Sequence, residues 1–93
     1  MRLWLDDVRP APDGFHPVKT GIECINLLRT GEVTALSFDH DLGEGLTGYD
    51  VAKWIEQNAA SIKPILWEVH TSNPVGRQNI VMAMQNAEKA WPI

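Results

Sequence analysis

"TALSFDHDLGEGLTGYD", residues 34–50, presents in succession a strand, an acidic strand end, a glycine-rich loop and a helix start. "TALSF" is an apolar run too short for a helix and is expected to be a buried strand. It runs directly into Asp39, His40 and Asp41, three ionisable groups where a turn needs only one. "GEGLTG" is loop by composition. Thr47 and Asp50 have capping-box spacing for a helix whose buried stripe is Val51, Trp54, Ile55 and Ala59.

The same alternation extends in both directions. "RLWLDD", residues 2–7, is a second apolar run that stops on two aspartates. "VRPAPDGFHP" after it holds three prolines and a glycine, which excludes a helix, and "HPVKT" is a brief strand. Thr20 and Glu23 form another capping box, opening a helix with an apolar face of Ile22, Ile25, Leu27 and Leu28 that ends before Gly31. Downstream, "ILWEVH" (65–70) is the fourth strand. Asn73-Pro74 starts a helix as N-cap and first helical residue, with Ile80, Val81, Met84 and Ala87 facing inward. Strands alternating with helices in this way build a parallel sheet with right-handed crossovers. The ionisable clusters at 6–7, 39–41 and 70–73 then fall at strand C-terminal ends, where such sheets bind their ligands.

Composition narrows the function classes. The chain of 93 residues has room for one domain, residues 1–93, and 44% hydrophobic with 22% charged residues is ordinary for a globular protein. A net charge of -4, with the eight Lys and Arg scattered, argues against a grip on duplex nucleic acid. No apolar run approaches the ~20 residues that span a bilayer. The lone cysteine, Cys24, cannot form an internal disulfide and reads as a small apolar helix residue; with no signal peptide in view, the expected setting is cytoplasmic.

Taken together, "LDDVRPAPDG", "SFDHDLG", "TGYDVAKWIE" and "VHTSNPVGR" resemble the cyclic-phosphate processing receiver domain, a compact relative of two-component receivers, over residues 3 to 86. The resemblance implies a truncated, flavodoxin-like, three-layer α/β fold. Its parallel sheet would have about four strands in order 2-1-3-4, with three helices and the first receiver helix replaced by a loop. The fifth strand and helix would be missing or reduced to "KAWPI". It implies Mg²⁺, or another divalent cation, on Asp6 and Asp7 with Asp39, and Asp39 as the phosphoryl-accepting position. A hydroxyl that steadies phosphoryl oxygens would come from Thr71 or Ser72, the register being open. No lysine stands where a receiver's fifth strand supplies one, and Lys89 is too near the end to replace it. Arg9, His40, His70 and Arg77 are present instead, as in the cyclic-phosphate relatives.

The residues carry their own argument for that chemistry. Adjacent carboxylates repel unless a cation joins them, and hard oxygen donors suit Mg²⁺, which also bridges to phosphate. Two imidazoles, His40 and His70, match the base and the acid that opening a cyclic diester requires. Asp39 and Asp41 would stabilise an imidazolium; Asp41 is also readable as a turn residue before Gly43. Arg77 in the first turns of a helix opposes the helix dipole by roughly 0.3 to 1 kcal/mol. An anion seated among Arg77, the helix start at Asn73 and Arg9 would offset that, and so would a pairing with Asp6, Asp7 or Asp39.

The expected activity is a metal-assisted phosphoesterase acting on a small phosphorylated ligand, a cyclic nucleotide or an RNA 2′,3′-cyclic phosphate end. Asp39, His40, His70 and Asp41 would be its catalytic groups. In a variant, Asp39 attacks phosphorus to form an acyl phosphate. The alternatives are a receiver-like signalling or phosphate-binding module, with Asp39 as phosphoacceptor and no turnover, and a structural domain. Loss of a receiver's outer strand leaves a bare sheet edge, for which pairing in a homodimer is the expectation.

Overall fold

The parallel sheet follows from four runs whose alternate side chains face opposite ways. In the computed structural model, which describes residues 1–91, these are β1 (Arg2–Leu5), β2 (His16–Val18), β3 (Ala35–Phe38) and β4 (Leu66–Val69). They pair in parallel in the order β2-β1-β3-β4. The register sets Leu3 beside Leu36 and Leu5 beside Phe38. All four are at most 1% exposed and join Val51, Ile55, Ile80 and Met84 in one core.

Three helices supply the rest of that core: α1 (Gly21–Leu28), α2 (Gly48–Asn58) and α3 (Pro74–Ala90). The intervening residues Trp4 and Ser37, directly paired, belong to the other face of the sheet. There the loop between β1 and β2 lies against the strands, with the Phe15 ring edge-on to Trp4 at 6.0 Å and the Arg2 guanidinium 4.9 Å from the Phe15 centroid. Among the described residues this loop is the layer on that side, in place of a helix. No helix among them is long and apolar enough to cross a membrane.

Several boundaries differ from the sequence reading. Ile22 is 59% exposed, and the buried side of α1 is Gly21, Cys24, Ile25 and Leu28, because those positions lie together at the helical period while Ile22 is a quarter-turn away. Glu23 accepts from the Lys19 N–H at 3.3 Å instead of closing a box on Thr20, whose hydroxyl does accept from Glu23 N. Val81 is only half-buried; Ile80, Ala83, Met84 and Ala87 carry the face of α3. Ala59 is buried as expected but in a 3₁₀ turn, Ala59–Ser61, beyond α2. Lys89 and Ala90 complete α3 and Trp91 is buried just after it, so these residues form no separate strand; residues 92 and 93 lie outside the described residues. Cys24 behaves as an apolar residue, burial pushing its thiol up to about 12.

Candidate active site at the strand C-terminal ends

The ladder continues one residue past each strand. Asp6 N donates to Val18 O at 3.0 Å, Asp39 N to Leu5 O at 2.9 Å and His70 N to Phe38 O at 2.9 Å. Residues 6, 39 and 70 therefore stand in a row on three neighbouring strands, although 33 and 31 positions apart in the chain (39 − 6 and 70 − 39). One donor atom from each of Asp6, Asp39 and His70 lies within 4.8 Å of the others.

Asp6 is the most buried of the three, at 3% exposure. Its Oδ1 accepts from the Val8 and Arg9 N–H groups, both at 2.8 Å, and its Oδ2 from His70 Nε2 at 3.0 Å. Burial pushes its carboxyl up, but the Arg9 and Val8 N–H groups and the His70 ring outweigh this, leaving it below the usual range. Asp6 is thus held as a carboxylate. Asp39 Oδ1 accepts from His40 N at 2.8 Å.

The His70 ring is fixed on three sides. Ser37 Oγ lies 2.8 Å from Nδ1, Asp6 from Nε2, and the Trp4 indole stacks on the ring at 3.7 Å and 4°. Arg9 Nη1 donates to the His70 carbonyl at 2.8 Å, and Trp4 Nε1 to the Arg9 carbonyl at 3.2 Å. Next along the chain, Arg77 Nη2 donates to the Thr71 carbonyl at 3.1 Å. Two guanidinium groups are thus tethered to consecutive carbonyls at the end of β4. Each retains further N–H donors.

A family model for the cyclic-phosphate processing receiver domain matches residues 1–86. The chain belongs to this family. No curated protein and no solved structure matches it. In this cyclic-phosphate processing receiver domain, the acidic pair after β1 is split between two surroundings. Asp7 stays outside the three-donor group and turns toward Gly43, where a Cβ would lie 3.2 Å from its Oδ2. The two imidazoles also have different partners. The His40 ring packs against Gly76 of α3, with Nδ1 3.1 Å from Asp41 Oδ1 and 3.5 Å from Asn73 Nδ2. Among the described residues it shares no hydrogen-bond partner with the His70 ring, and Asp41 is exposed.

The remaining expected groups cap α3. Asn73 Oδ1 accepts from Gly76 N at 2.9 Å, and the Thr71 hydroxyl accepts from Asn73 N at 3.2 Å. Thr71 is buried while Ser72 is exposed. Ser37 and Trp4 escaped the sequence reading. Their signal was the strand period: each stands two residues before an aspartate of the site, and hence on the same face.

The donor set suits a hard divalent cation completed by water, with two carboxylates as the oxygen donors. The imidazole is a donor that transition dications accept more readily than Mg²⁺ does. Nε2 cannot both bind an ion and carry the proton it gives to Asp6.

Proposed function

We propose that this domain hydrolyses a cyclic phosphate, on a nucleotide or an RNA 2′,3′ end, in the cleft formed by Asp6, Asp39 and His70. The observation carrying this reading is the meeting of those three side chains beside Arg9 and Arg77, in a family whose description is cyclic-phosphate processing. Arg9 and Arg77 would hold the non-bridging oxygens and offset the charge that grows on them in the transition state. A water oxygen gives up a proton and forms a bond to phosphorus as the ring P–O bond breaks, and the departing oxygen takes up a proton in turn, giving a phosphomonoester.

His70 is assigned the proton transfer. Asp6 accepts from its Nε2, so a ring in the imidazolium form would deliver that proton to the departing oxygen and keep its other hydrogen on Nδ1, toward Ser37. Asp6 and Asp39 would hold a divalent cation such as Mg²⁺, which when bound polarises the phosphoryl oxygens. His40, Asp41, Asn73, Thr71 and Ser72 shape the wall formed by the start of α3.

Incubation with 2′,3′-cyclic nucleotides and Mg²⁺ or Mn²⁺ tests the reading. Monophosphate should be released, and the release should fall by roughly 100-fold or more in folded Asp39→Asn and His70→Ala variants. A stable adduct on Asp39 from acetyl phosphate, with no cyclic ester opened, would establish the signalling module in its place.

A further inference from the structure

Ser37 is the buried polar group that the proposed reaction leaves unused. It lies in β3, an interior strand, between Leu36 and Phe38, and is 0% exposed. A hydroxyl at such a position costs stability unless it is paired. Among the described residues its one side-chain hydrogen bond is to His70 Nδ1, 2.8 Å away.

Ser37, His70 and Asp6 together invite comparison with a nucleophilic triad. Two facts exclude it. The Ser37 oxygen is sealed from any substrate, and the ring is used in the opposite sense, with Nδ1 on the serine and Nε2 on the aspartate. What the contacts accomplish is orientation. The Trp4 indole, parallel to the imidazole at 3.7 Å, sets the plane of the ring but is indifferent to a half-turn about Cβ–Cγ, which leaves that plane unchanged. Such a half-turn would exchange nitrogen for carbon at both polar contacts. The Ser37 and Asp6 bonds together forbid it. Trp4 and Ser37 are directly paired residues of adjacent strands, so the support is on rigid elements.

The tautomer follows from the same partners. An ionised Asp6 only accepts, so Nε2 carries the hydrogen; in a neutral ring Nδ1 then offers a lone pair, and Ser37 donates to it.

We propose that Ser37 is a positioning residue, whose hydroxyl, with the Trp4 indole, holds the His70 ring so that Nε2 faces the Asp6–Asp39 cleft. Its consequence for turnover rests on the hydrolase reading above; its consequence for the ring does not.

The test has two parts. Long-range ¹⁵N NMR of the unmodified domain should show His70 as a single Nε2–H tautomer with one set of narrow ring signals, and Ser37→Ala should broaden or split those signals as the half-turn becomes accessible. A mixture in the unmodified protein, or an unchanged ring in Ser37→Ala, overturns the proposal, and neither readout needs activity. For hydrolysis, Ser37→Ala should lower kcat roughly three- to tenfold with KM nearly unchanged. In the His70→Ala background the same substitution should cost nothing further, since Ser37 acts through that ring. An equal additional loss there would mark Ser37 as merely structural and sink the proposal.

Discussion

Gly48 and Gly76 mark the two places where the site is built against bare backbone. A Cβ on Gly48 would overlap the Asp39 carbonyl oxygen and lie 2.9 Å from its carbon and 3.1 Å from His40 Cα, all main-chain atoms that cannot rotate away. The nearest atoms to a Cβ on Gly76 would all belong to the His40 side chain, but they include its Cβ, 2.7 Å away and fixed to the backbone. Gly48→Ala should therefore destabilise by about 1 to 3 kcal/mol and displace Asp39, and Gly76→Ala should cost less but remain destabilising, because the ring can rotate while His40 Cβ cannot. Urea unfolding of the two variants gives the order directly. The two histidines should separate equally clearly. If hydrolysis is the activity, His70→Ala should lower kcat by roughly 100-fold or more, and His40→Ala by far less, because His40 bonds to Asp41 and the start of α3 instead of the three-donor group. Sequence placed both imidazoles at strand ends, but side-chain direction depends on what packs behind each ring. Trp4 stands behind one and Gly76 behind the other.

At the scale of elements, α2 is held at its start by a complete reciprocal cap. Thr47 Oγ1 accepts from Asp50 N at 3.1 Å, and Asp50 Oδ2 accepts from Thr47 N at 2.9 Å. Thr47→Ala should cost about 1 kcal/mol, a fall in Tm of roughly 4 to 8 °C for a domain of this size. The Thr47 N–H, opposed by burial and helped by the Thr47 hydroxyl and Lys53, holds the Asp50 carboxyl below its ordinary 3.8. A carboxyl depressed in the folded state contributes stability that is present above about pH 4 to 5 and lost as pH falls through the folded value. Stability measured by urea titration should thus decline less steeply below pH 4 in Asp50→Asn than in the unmodified protein. This cap was legible because both partners lie within four residues of one another. The Thr20–Glu23 box has the same spacing, yet Glu23 turns to Lys19 N instead. Ile22 was misplaced because the helix phase is set by where Gly21 meets Leu46 and Val51, contacts more than twenty residues distant. Strand order was carried by family resemblance and alternation; the loop layer on the Trp4 face depends on contacts no local pattern announces, Phe15 and the Arg9 carbonyl on Trp4 and Arg2 on Phe15.

For the whole molecule, the decisive feature is that Asp6 and Asp39 approach one another only when β1 and β3 are paired. An unfolded chain has no such site, so a cation that binds there stabilises the native state by mass action. At a free concentration about tenfold above Kd the gain is about 1.4 kcal/mol, which for a domain this small raises Tm by roughly 6 to 11 °C. Thermal unfolding with and without Mg²⁺ or Mn²⁺ should show that rise, and a chelator should reverse it. Asp39→Asn should abolish it by removing one of two charged donors. His70→Ala is the informative case. If the ring carries the proton that Asp6 accepts, the variant keeps its cation-dependent rise while losing turnover. A rise lost in His70→Ala as well would make the imidazole a ligand and move proton transfer elsewhere. No rise at millimolar cation in the unmodified domain would remove the metal from the proposal and leave Arg9 and Arg77 as the groups facing the phosphate.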